Sequence, residues 1–170
     1  MKCSIRSRSV VLAVAAGALL AVPFASPASA ASSLSCSKLS STTSLNLTAK
    51  TGTTSSSFLS CGTGALAAGG SSKVTVPISK ITGSLTEKIT WKGGKGTTSV
   101  TEKYTSQKTL GKCPKGTKYR TIVSGTTKTS TGAAAKVIKS GETISAQICT
   151  TAPTTTKYVS ILLKGTTFKI

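Results

Sequence analysis

Hydrophobic and polar positions alternate along this chain with a period of two. Leu45, Leu47 and Ala49 stand between polar neighbours, as do Val74 and Val76 before Pro77. Leu85, Ile89 and Trp91 fall on one face of a segment whose other face carries Ser84, Thr86, Lys88 and Thr90. That spacing belongs to strands with one buried face, because successive strand side chains point to opposite sides. Glu87 is in phase with this apolar set, and Glu102 with Val100 and Tyr104, which predicts a sheet edge or a lysine partner for both. Lys92-Gly93-Gly94-Lys95-Gly96 is a turn signal, so residues 84–105 read as a hairpin. Further strands are expected at Tyr119, Thr121 and Val123 up to Gly125, at Ile144, Ala146 and Ile148, over residues 158–163, and at Phe168 and Ile170. Only residues 132–139, with Ala133, Ala134 and Ala135, are as compatible with helix as with strand. Seven to nine short strands with glycine-rich turns predict an all-β protein. The expected architecture is an antiparallel β-sandwich, immunoglobulin-like, or a small barrel. The single tryptophan, Trp91, is expected to plug the core near a disulfide.

The first thirty residues follow a different pattern. Lys2, Arg6 and Arg8 precede a thirteen-residue apolar run over residues 10–22, followed by Pro23, Pro27 and Ala28-Ser29-Ala30. This is the three-part layout of a secretory signal peptide with an A-x-A cleavage site. Thirteen apolar residues fall short of the ~20 that a membrane-spanning helix needs. Residues 1–30 are therefore assigned to a signal peptide and residues 31–170 to a single β-sandwich domain without a transmembrane segment. The expected location is secreted, extracellular or cell-wall associated.

Removing the signal leaves Cys36, Cys61, Cys113 and Cys149. An even count in an exported chain implies two disulfides. Three pairings are possible; Cys36–Cys61 with Cys113–Cys149 is favoured because each closes a moderate loop. A zinc site is not expected, since there is no histidine and no C-x-x-C spacing. Leu, Ile, Val and Phe supply only 27 of the 140 remaining residues, near the border of disorder. Thr, Val and Ile supply 45, and these β-branched residues favour pleated strands. Together with the alternation and the cysteines, they predict a folded domain.

The signal peptide, the early cysteine, the segment GSLTEKITWKGGKGTTS over residues 83–99, the late cysteine and the short terminal strand resemble small secreted actinobacterial proteins. The resemblance implies secretion and a disulfide-bonded immunoglobulin-like β fold, and it implies no activity.

Composition excludes much chemistry. Without histidine there is no Ser-His-Asp triad and no Cys-His pair. The acids are Glu87, Glu102 and Glu142 alone. A glycosidase needs two opposed carboxyls, and nearby lysines are expected to hold Glu87 and Glu102 ionised, which is wrong for a general acid. Ser35-Cys36-Ser37-Lys38 matches S-x-x-K without companion motifs. No enzyme, cofactor or metal is predicted.

Charge carries the functional expectation. After the signal, 18 Lys and one Arg face three Glu, a net of about +16. Such a field gathers polyanions. Lysines act as point charges, whereas arginine would favour bidentate base readout. The expected partners are anionic polymers: teichoic acid, acidic glycans and extracellular DNA. The expected contacts are Lys88, Lys92 and Lys95, together with Lys108, Lys112, Lys115, Lys118 and Arg120. An alternative is protease inhibition. Cys113-Pro114-Lys115 is similar to the reactive loop of subtilisin-inhibitor-like proteins, which implies an extracellular protease partner. Lys115 would then be the specificity residue and Lys115–Gly116 the exposed bond.

Overall fold

Alternating β-branched residues leave the backbone extended, and extended strands need partners for their amide groups. In the computed structural model these partners are found by closing the sheet on itself. The structure describes residues 34–62, 64–81, 83–107, 111–151 and 156–170. The strands are β1 (Ser35–Asn46), β2 (Thr51–Cys61), β3 (Gly70–Pro77), β4 (Ser84–Trp91), β5 (Thr97–Gln107), β6 (Thr117–Ser130), β7 (Thr143–Thr151), β8 (Lys157–Leu162) and β9 (Phe168–Lys169). A 3-10 turn at Ile78–Lys80 links β3 to β4, and a single helical turn, α1 (Ala134–Val137), links β6 to β7.

Each of the first seven strands pairs antiparallel with the next, and β8 returns to β1. The result is an up-and-down eight-stranded barrel. The short β9 is an extra strand beside β1 and β7. Of the two expected architectures the barrel is therefore the one formed. The strands make one closed sheet, without the two sheets or Greek-key crossovers of an immunoglobulin-like sandwich.

Both favoured disulfides form. Cys36 and Cys61 are direct register partners across β1 and β2, and Cys113 joins the β5–β6 connection to β7 at Cys149. The predicted hairpin is β4 and β5, and Gly93 and Gly94 supply the positive φ its tight turn requires. Two local expectations change. Leu47 and Ala49 lie in the β1–β2 turn, and Leu47 is 59% exposed. Gly125 sits inside β6 instead of ending it. A Cβ there would lie 2.1 Å from the Thr101 carbonyl oxygen and 3.0 Å from the Glu102 Cα, so glycine permits a close approach of β5.

In a meander, successive turns lie at alternate ends of the barrel. The β2–β3, β4–β5 and β6–β7 connections share one end, where Trp91, Phe58, Phe168, Leu66, Ile138 and Ile170 form the apolar core. The Phe58 and Phe168 rings lie 4.8 Å apart. Trp91 is buried in the same cluster as Cys36 and Cys61, and its indole N–H donates to Thr98 Oγ1 at 2.9 Å. The opposite end is bounded by the turns β1–β2, β3–β4, β5–β6 and β7–β8, and it is not filled.

Candidate functional site

An eight-stranded barrel is just wide enough either to be filled by side chains or to hold one small ligand. This one is filled in one layer and hollow in the next. Below the midpoint is the apolar core. Above it lies a cavity of about 410 Å³, walled by residues from seven of the eight barrel strands. Three tyrosines, Tyr104, Tyr119 and Tyr158, share the wall with Leu45, Leu85 and Ile148. Ile78 and Ile81 overhang from the 3-10 turn. Gly52 makes room for this: a Cβ there would lie 2.1 Å from Ile81 Cδ1.

The polar wall residues satisfy one another. Ser41 and Ser56 hydroxyls lie 2.9 Å apart, Thr43 and Thr54 2.9 Å, and Thr150 and Ser160 2.8 Å. These cross-strand pairs follow from the register, which sets small hydroxyl residues opposite each other on the inner face.

Between cavity and core sits a layer that contains two carboxyl groups. Glu87 on β4 and Glu102 on β5 point into the barrel and are 4% and 3% exposed. Both line a second, smaller cavity of about 20 Å³, which shares Ser41, Tyr104 and Ile148 with the larger one. Ser72 donates to Glu87 Oε2 at 3.0 Å, and the Tyr104 hydroxyl donates to Glu102 Oε2 at 2.7 Å. Glu102 Oε1 is buried with no hydrogen-bond partner.

Burial raises the pKa of Glu87, opposed by the Ser72 hydrogen bond. Glu102 is pushed up to about 8, first by burial and then by the charge of Glu87, against the Tyr104 hydrogen bond. Burial also raises Tyr104, followed by the charge of Glu102. At neutral pH Glu102 is thus a protonated acid inside the barrel.

The expectation for these two residues is corrected. They meet neither a sheet edge, which closure abolishes, nor a lysine that would keep them ionised. Their in-phase position among apolar residues was the signal of an inward orientation. Among the described residues no lysine or arginine lines either cavity. Nor do three or more His, Cys, Asp or Glu side chains converge as a metal-binding group among them.

The lysines are outside. Every described lysine is exposed, on β1, β3, β4, β5, β6, β8 and β9 and in the connections. The two expected clusters are separated by the fold. Lys92 and Lys95 lie in the β4–β5 turn at the core end, whereas Lys112 and Lys115 lie in the β5–β6 connection at the open end. Lys88 and Lys118 point outward from β4 and β6. Lys108 and the signal segment lie outside the described residues. Arg120, among the expected polyanion contacts, is half-buried, and its guanidinium donates to Gln147 Oε1 at 2.5 Å.

The Lys115 segment is a tight turn. Thr117 donates to the Pro114 carbonyl through its amide at 3.2 Å and its hydroxyl at 2.6 Å, and Gly116 has φ +92°. Pro114, Lys115 and Gly116 are exposed. No described helix is long and apolar enough to cross a membrane.

Comparison with protein-family models, curated proteins and solved structures finds no match.

Proposed function

We propose that this is a secreted, non-catalytic binding protein that associates through its outer wall with anionic polymers of the cell envelope or its surroundings. One observation carries the reading: every described lysine is exposed, whereas two of the three acids turn inward. Glu87 and Glu102 are inside the barrel, and Glu142 is half-buried with Oε2 sequestered. The exterior is therefore more one-sidedly cationic than the composition suggests.

Because the lysines surround the barrel, the attraction has no single face. It suits a flexible polymer of repeated negative charge, such as teichoic acid, an acidic glycan or extracellular DNA, better than a fixed stereospecific ligand. Attraction of this type releases counterions and weakens with salt. Retention on immobilised heparin or teichoic acid should fall steeply between about 50 and 300 mM salt. Salt-independent retention would overturn the reading. Export rests on the layout of residues 1–30 and agrees with the two disulfides.

Protease inhibition is the second reading. The Cys113–Cys149 tether and the exposure of Lys115 favour it. The Pro114–Thr117 hydrogen bond weighs against it, because it folds the Lys115–Gly116 bond into a turn, whereas a protease cleft takes an extended strand. Inhibition of trypsin-like or subtilisin-like enzymes that is lost in Lys115→Ala supports it. Cleavage after Lys115 without inhibition sinks it.

A further inference from the structure

The outer surface leaves the barrel interior without a role. We propose that the interior is a binding site for an amphipathic primary amine, with the ammonium head in the small cavity between Glu87 and Glu102 and an alkyl or aryl body in the large cavity above. This proposal stands independently of the outer-surface reading.

Size, charge and hydrogen bonding converge on that class. The small cavity, about 20 Å³, admits one water-sized group, and an ammonium is that compact. The large cavity, about 410 Å³, offers room for an alkyl or aryl body. The two share the walls Ser41, Tyr104 and Ile148, so a head and a body can be joined.

The carboxyl layer chooses the head. Glu102 Oε1 is a polar atom sealed from solvent without a hydrogen-bond partner, an arrangement that costs stability unless one arrives. Two inward carboxyls, with no lysine or arginine lining either cavity among the described residues, reject an anionic head. Two carboxylates fall short of the six to eight oxygen ligands that calcium takes. A neutral hydroxyl could satisfy one carboxyl but brings no positive charge to offset a buried carboxylate. An ammonium brings three donors and one positive charge to both. The wall suits the body: Tyr104, Tyr119 and Tyr158 line it together with Leu45, Leu85 and Ile148.

Binding is coupled to a proton. Glu102 is surrounded by Glu87 on β4, Tyr104 on its own strand and Tyr158 on β8 beside Tyr104. An ammonium between Glu87 and Glu102 lowers the pKa of both carboxyls, so binding near pH 7 releases part of the Glu102 proton, and less is released near pH 9.

The test is calorimetric titration of the oxidised full chain with hexylamine, 1-hexanol and hexanoate, near pH 7 and pH 9, in buffers of different ionisation heat. Hexylamine should bind at least tenfold more tightly than hexanol, and hexanoate should not bind. Glu102→Gln should weaken hexylamine at least tenfold and weaken hexanol much less. If that variant does not fold, Ser106→Trp, at the exposed rim of the large cavity, should abolish binding of both hexylamine and hexanol while the fold persists. Equal affinity for amine and alcohol, unchanged amine binding in either variant, absence of proton release near pH 7, or failure of all three probes to bind would each overturn the proposal. Salt separates the two sites as well. The cationic exterior repels an incoming ammonium, so amine association should quicken with salt while polymer retention falls.

Discussion

The inward carboxyls are the residues on which the chemistry turns. A carboxyl whose folded-state pKa lies above its unfolded value holds its proton longer in the folded chain than in the unfolded one. For Glu102 the window runs from 4.5 to about 8. Within it the folded state binds more protons, so stability falls as pH rises, with a slope of up to about 1.4 kcal/mol per pH unit from this one group. Below and above the window its contribution is constant. Denaturant titrations of the unliganded protein at pH 4, 6 and 8.5 should give decreasing stability, and Glu102→Gln should flatten the decline. An equal decline in the variant would remove Glu102 as its source. Gly125 is the second decisive residue, because a methyl group there meets the Thr101 carbonyl, which cannot swing away as a side chain would. Gly125→Ala is expected to cost about 1–3 kcal/mol, read from a denaturation midpoint.

At the level of elements, alternation alone located most strands. Val74 and Val76, the hairpin of β4 and β5, and Ile144, Ala146 and Ile148 lie where the period of two placed them. The β1–β2 turn was obscured because Leu47 and Ala49 keep the alternation although the chain has already turned. The length of β6 was obscured because Gly125 resembles a strand end, and only the neighbouring β5 backbone reveals why it is there. The disulfides divide the work between the two ends. Cys36–Cys61 lies in the core cluster, whereas Cys113–Cys149 ties the open-end β5–β6 connection to β7. Replacing Cys113 and Cys149 together by alanine should lower stability by about 3–4 kcal/mol on chain-entropy grounds. Because the core end is untouched, the far-ultraviolet circular dichroism of a β protein should persist. Loss of that spectrum would mean that the open end is needed for the barrel to form at all.

For the whole molecule, closure is the event that gives the charges their meaning. A sheet rolled into a barrel has an inside and an outside, and each strand divides its residues between them. The lysines go outward on every side, Glu87 and Glu102 inward, and the protein becomes a cationic shell around an acidic, partly apolar lumen. Two opposite salt dependences on one molecule follow, for polymer and for amine. By itself the sequence determined the β class, the alternation that splits each strand into two faces, the charge excess and the cysteine content, because these are local or additive properties of the chain. The tertiary structure alone decided that the sheet closes instead of stacking, that Lys92 and Lys112 lie at opposite ends, and that Glu87 and Glu102 share one buried layer. Those outcomes depend on which strand meets which across the barrel, and pairing between residues distant in sequence leaves no trace in the period of any one strand.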